Sequence, residues 1–146
     1  MFKEIQYQGE LYALIISHRF SGEGVHFFTP NELSQQLAYM HHPAGKVIDA
    51  HVHNPVHRSV QYTQETLFIK RGKLRVDFYN EDQIYLQSSM LEAGDVILLI
   101  KGGHGFEVIE ELEMFEVKQG PYAGDQDKTR FNGQLPSILN FGPQNS

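Results

Sequence analysis

The stretch Glu65–Asn80, with the sequence ETLFIKRGKLRVDFYN, contains two strand-sized segments that meet at Gly72. The segments Thr66–Lys70 and Lys73–Asn80 are rich in the β-branched and aromatic residues that favour strands. Glycine commonly marks a turn or an irregularity between such segments. This stretch therefore predicts a strand, a glycine turn and a second strand.

Short apolar segments of the same kind recur along the rest of the chain. The 13 Gly and 6 Pro are spread among them at short intervals and separate one segment from the next. About ten strands in a chain of this size predict an all-β sandwich or barrel. The other candidate strands are Leu11–Ile16, Val25–Phe28, Gln36–His41, Lys46–His53, Gln83–Leu86, Val96–Lys101, Phe106–Ile109 and Glu113–Gln119.

One short helix is predicted near residues 30–36. Thr29 is a suitable N-cap, Pro30 suits the first turn, and Glu32 follows three residues after the cap, as in a capping box. After residue 120 the hydrophobic period disappears, which predicts an irregular tail whose apolar residues dock on the body. We expect a single domain with N-terminal strands and the helix in 1–42, a barrel core in 43–120 and the tail in 121–146.

Composition excludes several classes of protein. The chain has 146 residues and no Cys, so thiolate metal sites and disulfides are impossible. A net charge of −6, with scattered Lys and Arg, argues against nucleic-acid binding. The longest apolar runs are far shorter than the ~20 residues of a membrane helix, and the N-terminus does not resemble a signal peptide. We expect a cytoplasmic protein without membrane or nucleic-acid partners.

The histidines are strongly clustered. Five of the eight lie within seventeen residues, and His51 and His53 are two apart in the candidate strand Lys46–His53. Residues two apart on a strand point the same way, so these imidazoles are candidate ligands of one transition metal. Glu65, on the same face as Leu67 and Ile69, and His104, after Gly102–Gly103, are candidates to complete the site.

Two segments resemble the paired motifs of the cupin superfamily. The first runs from Gly45 through His51 and His53 to Glu65 and Gly72, and the second is Gly94–His104, with the sequence GDVILLIKGGH. The resemblance covers about residues 43–110. It implies a double-stranded β-helix, also called a jelly-roll barrel, in which His51, His53, Glu65 and His104 hold one divalent ion such as Fe, Mn, Ni or Zn.

The chain departs from the cupin pattern in both motifs. Eleven residues separate His53 from Glu65, which is longer than the usual spacing. His57 stands at the usual position of the fourth ligand, but Gln64 replaces the glycine that should follow it, so we favour Glu65 and keep His57 as the alternative. In the second motif Ile100 replaces the usual proline and His104 comes one residue early.

The resemblance implies an activity on a small molecule, and its size and motif layout favour isomerisation or epimerisation of a sugar derivative in surface-polysaccharide metabolism. His57 and Tyr62 are candidate bases, and Arg58 is a candidate for binding an anionic substrate group. The alternatives are a non-haem Fe(II) dioxygenase and a non-catalytic ligand-binding cupin. Exposed strand edges and many aromatic residues favour a homodimer.

Overall fold

The computed structural model describes residues 1–143, which are nearly all β and form two compact units. Unit one combines Met1–Phe20 with the chain from Tyr62 onward, and unit two is Ser21–Gln61. No helix in the described residues is long and apolar enough to cross a membrane. The strands are β1 (Phe2–Tyr7), β2 (Glu10–Ile16), β3 (Gly24–Phe27), β4 (Ala38–His41), β5 (Glu65–Tyr79), β6 (Tyr85–Glu92), β7 (Val96–Leu99) and β8 (Gly103–Lys118), followed by a 3-10 helix (Gly124–Asp127).

Unit one is built on one curled antiparallel sheet that forms a half-barrel. Its strand order is β1-β2-β7-β5-β6, and β8 pairs along β5. Strands β1 and β2 are joined through Gln8 and Gly9, whose φ values of 51° and 78° fit the tight two-residue turns of hairpins. Unit two contains the hairpin of β3 and β4.

The long ribbon of β5 and β8 bends at Gly72. All three register shifts between these strands fall between Ile69 and Leu74. Gly72 has a φ of +93°, and a Cβ added to it would lie 2.0 Å from the carbonyl oxygen of Glu111 on β8. Only glycine fits this backbone, so the predicted glycine turn is a bend inside one strand pair.

The bend lets both halves of β5 contribute to the same core. Leu67 and Ile69 precede the bend and Leu74, Val76 and Phe78 follow it, and all five are at most 2% exposed. The other strands of the sheet complete the core with Ile5, Tyr12, Ala13, Ile15, Leu91, Ile97 and Leu99. The apolar positions thus mark the inner face of the half-barrel.

A buried polar network fixes the second half of β5 to β6. The Asp77 carboxylate accepts hydrogen bonds from Arg75 Nε at 2.9 Å and from the Ser88 hydroxyl at 2.5 Å. The Tyr85 hydroxyl lies 2.8 Å from that of Ser88, and it accepts a hydrogen bond from the backbone N–H of Asn140 at 3.1 Å. The network therefore also anchors the C-terminal segment.

The tail beyond residue 120 is irregular apart from the 3-10 helix, and it docks at particular points. The Phe131 ring packs edge-on against Tyr79 with centroids 5.1 Å apart, and the Ser88 N–H donates to the carbonyl of Asn140 at 2.7 Å. Two apolar residues of the tail do not dock, since Tyr122 and Ile138 are 90% and 85% exposed. Residues 144–146 of the predicted tail lie outside the described part.

Several strand predictions were wrong in their extent. Thr66–Lys70 and Lys73–Asn80 are one bent strand, and Phe106–Ile109 and Glu113–Gln119 are joined as β8. Each predicted break falls where the ribbon bends without losing its pairing. Strand β1 was not predicted because Phe2–Tyr7 has mixed polarity. Antiparallel pairing with β2 stabilises this strand.

The predicted strand Lys46–His53 is absent. Residues 46–53 form no β-ladder, and Val47, Ile48 and Val52 are 74%, 63% and 85% exposed. The alternation in this segment does not separate a buried face from a solvent face, so its period of two does not indicate a strand.

The predicted helix near residues 30–36 is also absent, and turns and bends replace it. The Thr29 hydroxyl accepts a hydrogen bond from the N–H of Leu37 at 3.2 Å and donates to Gln36 Oε1 at 2.8 Å. The pairing of β3 with β4 continues up to Phe27 and Ala38, so the segment between them must form a closed loop. The Thr29 side chain, which was predicted to cap a helix, holds the two ends of this loop together.

We predict that Gly72→Ala destabilises the protein far more than Gly9→Ala. Both glycines have positive φ, which costs an L-residue about 1–2 kcal/mol, but a Cβ at Gly9 meets nothing within 4 Å. The clash with Glu111 adds a cost of about 1–3 kcal/mol at Gly72. Urea unfolding of both variants measures the difference, and equal losses would show that the bend does not need glycine.

We predict that Asp77→Ala lowers the free energy of unfolding by about 1–3 kcal/mol, because the Ser88 hydroxyl loses this acceptor and Arg75, 13% exposed, keeps only its ion pair with Glu107. The matched control is Glu111→Ala, which removes an exposed partner of Arg71 and costs at most about 1 kcal/mol. Denaturant titrations of both variants compare them, and a small effect of Asp77→Ala would contradict the assigned role of the network.

Candidate metal centre

Glu65 is the first residue of β5, on the face that also carries Leu67 and Ile69. Its side chain is only 13% exposed. Leu99 of β7 and Lys118 of β8 are its partners across the two neighbouring strands. The sheet thus holds a carboxylate at the inner face of the half-barrel, as the alternation predicted.

His104 is positioned by the two glycines before it. Gly102 has a φ of +75°, and an added Cβ would lie 2.7 Å from both the Tyr12 ring and the carbonyl oxygen of Tyr79. At Gly103 an added Cβ would lie 2.9 Å from the Phe131 ring. The chain therefore passes close to aromatic residues where it enters β8. These contacts fix the position of the backbone just before His104.

Glu65 and His104 are in direct contact. The His104 Nε2 lies 3.3 Å from Glu65 Oε2, and the imidazole is 30% exposed. His104 pairs with Phe78, thirteen positions along β5 from Glu65, a separation of about 43 Å on a straight strand. The bend at Gly72 allows the two side chains to meet, and the pairing of Glu65 with Leu99, five positions before His104, brings that segment next to Glu65.

The electrostatic environment favours an ionised Glu65. Its hydrogen bond to His104 lowers the pKa of the Glu65 carboxyl below its ordinary value of 4.5, against the opposing effect of burial. The positive charges of Lys118 and Lys128 lower it further. A carboxylate that stays ionised on a largely buried face is a suitable ligand for a cation.

His51 and His53 form a second pair, in unit two. Their ring centroids are 5.2 Å apart, and both residues are exposed. The His51 Nδ1–H donates to the carbonyl of Asp49 at 2.9 Å. This bond leaves Nε2 as the ring atom with a free lone pair, which is the arrangement common among metal-binding histidines.

The described residues contain no group of three or more His, Asp or Glu side chains arranged to hold a metal. The four predicted ligands make contacts within two pairs. Glu65 contacts His104 in unit one, and His51 contacts His53 in unit two. Each pair consists of nitrogen and oxygen donors of the type that divalent transition metals accept.

The other predicted site residues are on the segment before β5. His57 and Arg58 are exposed members of unit two, in a part of the chain without strand structure. Tyr62 belongs to unit one and is 44% exposed, with Lys101 Nζ 5.9 Å from its ring centroid. None of the three residues His57, Arg58 and Tyr62 has a contact that assigns it a chemical role.

Sequence reasoning missed a second carboxylate–imidazole pair. His18 Nδ1 lies 3.0 Å from Oδ1 of Asp95, whose side chain is only 8% exposed. His18 carries no sequence pattern. The available signal was Asp95, an ionisable residue between the turn glycine Gly94 and the apolar strand β7.

No family model, curated protein or solved structure matches this chain.

We predict that Glu65 contributes a pH-dependent part of the stability. Because its folded pKa is lowered, this contribution is fully present above pH 4.5 and is lost as the pH falls through the folded value. The difference in unfolding free energy between the parent and Glu65→Gln should therefore shrink between pH 6 and pH 3. Urea unfolding of both proteins across this range tests it, and a constant difference would contradict the lowered pKa.

Proposed function

We propose that this chain is a metal-binding protein of the cupin kind, with a jelly-roll barrel, that acts on a small molecule. The half-barrel of unit one is compatible with this fold. The motif resemblance supplies the family, and the contact between Glu65 and His104 is the observation that carries the proposal.

The spacing of that pair fits two ligands of one ion. Donor atoms each about 2.1 Å from a metal are roughly 3.0–3.4 Å apart when they occupy neighbouring positions around it. The separation of 3.3 Å between Glu65 Oε2 and His104 Nε2 lies within this range. The two side chains need little movement to accept a cation in place of their mutual hydrogen bond.

The remaining ligands in the proposal are His51 and His53, as the cupin resemblance implies. Their adjacent rings and the bond from His51 Nδ1 to a backbone carbonyl support this assignment. His57 remains the alternative to Glu65 as the fourth ligand. Glu65 is partly buried and its pKa is lowered by His104, which favours this carboxylate over the exposed imidazole of His57.

The proposed reaction is isomerisation or epimerisation of a sugar derivative in surface-polysaccharide metabolism, in the cytoplasm. When bound, the divalent ion would supply Lewis-acid polarisation of a carbonyl group. His57 or Tyr62 would move the proton from the adjacent carbon, and Arg58 would bind an anionic group of the substrate. The reaction class rests on resemblance in size and motif layout to cupins that act on sugars.

We predict that protein purified without chelator binds about one equivalent of a divalent transition metal. His104→Ala and His53→Ala should each lose most of the metal, because each removes one of four ligands, whereas His18→Ala should retain it. Elemental analysis after dialysis against Zn, Mn, Ni or Fe measures the content. Affinity should also fall as the pH drops below ~6.5, since neutral imidazoles are the ligands.

Two outcomes of that experiment would contradict the proposal in different ways. Metal retained by His104→Ala would exclude the pair on which the proposal rests. Loss from His104→Ala with full retention by His53→Ala would confine the site to unit one and exclude the HxH ligands.

The reaction class has its own test. Solvent deuterium entering a sugar carbon supports isomerisation or epimerisation, whereas iron-dependent oxygen consumption supports the dioxygenase and ligand binding with neither supports a binding protein. The homodimer remains a prediction, which sedimentation equilibrium of the full chain tests.

A further inference from the structure

A charged cleft of about 500 Å³ lies in unit one. Neither Glu65 nor His104 lines it. It is next to the bend of β5, where Glu110 of β8 faces Lys73, and it extends to the end of β6 at Glu92. His18 and Arg19, which follow β2, line the other side. Five side chains that can carry charge therefore face one open volume.

His18 is held in a fixed orientation at this cleft. Asp95 accepts hydrogen bonds from the backbone N–H groups of His18 and Glu92, both at 2.8 Å, and its Oδ1 lies 3.0 Å from His18 Nδ1. A Cβ added to Gly94 would lie 2.7 Å from the Cβ of His18, so this glycine leaves the room that His18 occupies. The imidazole thus keeps Nε2 as the ring atom available to a ligand.

The charges in the cleft are only loosely paired. Glu92 Oε1 lies 3.8 Å from both His18 Nδ1 and Arg19 Nη2, and Lys73 Nζ lies 3.4 Å from Glu110 Oε1. The side chain of Arg19 is 70% exposed and that of Glu92 is 47% exposed. Contacts at 3.8 Å are beyond hydrogen-bond distance, so these groups keep donor and acceptor capacity for a ligand.

The space between the charged residues is open because the other two lining residues are Gly72 and Ala93. The bend requires glycine at position 72, because any Cβ there would clash with the backbone of Glu111. The lining therefore combines two carboxylates, Glu92 and Glu110, with two permanent cations, Arg19 and Lys73. Such a lining suits a ligand that carries charges of both signs.

We propose that this cleft binds a small zwitterion with one ammonium and one carboxylate group, such as an amino acid or a dipeptide. The carboxylate is bound by the planar fork of Arg19, with Lys73 as a second cation. The ammonium group is bound by Glu92 and by Nε2 of His18. A simple anion would be repelled by Glu92 and Glu110, and a simple cation by Arg19 and Lys73.

The proposal is tested by ¹⁵N NMR titration of the full chain with glycylglycine. We expect saturable shifts of the Arg19, Lys73 and Ala93 amide resonances. The half-probes N-acetylglycine and glycinamide, which each lack one charge, should bind at least about tenfold more weakly. Equal binding of N-acetylglycine or of inorganic phosphate would overturn the proposal in favour of a plain anion site, and the absence of saturable shifts would show a solvated surface.

Matched variants separate binding from folding. Arg19→Gln and Glu92→Gln should each weaken glycylglycine binding at least about tenfold, while Glu116→Gln, an exposed change on β8, should leave it unchanged. His104→Ala should also bind glycylglycine normally, since the cleft does not depend on the proposed metal. Parent-like binding by Arg19→Gln or Glu92→Gln, at unchanged unfolding midpoints, would overturn the assignment.

Discussion

The backbone bend at Gly72 determines where both ends of the longest strand pair lie. Strands β5 and β8 stay paired on both sides of it, so the bend redirects the ribbon without breaking it. Its requirement for glycine is steric, because the Glu111 carbonyl occupies the place of a side chain. The shared core depends on this change of direction, and the contact of Glu65 with His104 depends on it together with the pairing of Glu65 with Leu99 on β7.

Two kinds of interaction hold the bent ribbon in place. Apolar residues from both halves of β5 pack in one core, and their burial supplies the main stabilisation. The Asp77 network fixes the position of β5 relative to β6, because its hydrogen bonds reach Arg75 on the same strand and Ser88 on β6. Beyond the bend, the chain therefore cannot slide by one residue without burying unpaired polar groups.

The same bend separates two places with different chemistry. At one end of the inner face, Glu65 and His104 form a partly buried carboxylate–imidazole pair. At the bend, His18 is held by Asp95 beside an open cleft with charges of both signs. The first offers adjacent oxygen and nitrogen donors for the proposed cation, and the second offers groups of both charge signs for the proposed dipolar molecule.

Sequence patterns predicted the parts of the fold that depend on burial. The alternation of Glu65, Leu67 and Ile69 placed Glu65 on the inner face of the first half of β5, and Gly102–Gly103 marked the turn before His104. The same reasoning failed at Lys46–His53 and at the helix predicted near residues 30–36, where alternation and a capping pattern are local and no burial selects the predicted element. The pairing of His18 with Asp95 joins residues 77 positions apart, which a local pattern does not reveal.

The most direct measurement is an anomalous-difference map from crystals of the full chain grown with a divalent transition metal, recorded at that metal's absorption edge. The account predicts one dominant peak about 2.0–2.2 Å from both Glu65 Oε2 and His104 Nε2. A fully occupied peak bound elsewhere, or a map without a peak at this pair in metal-saturated crystals, would contradict it.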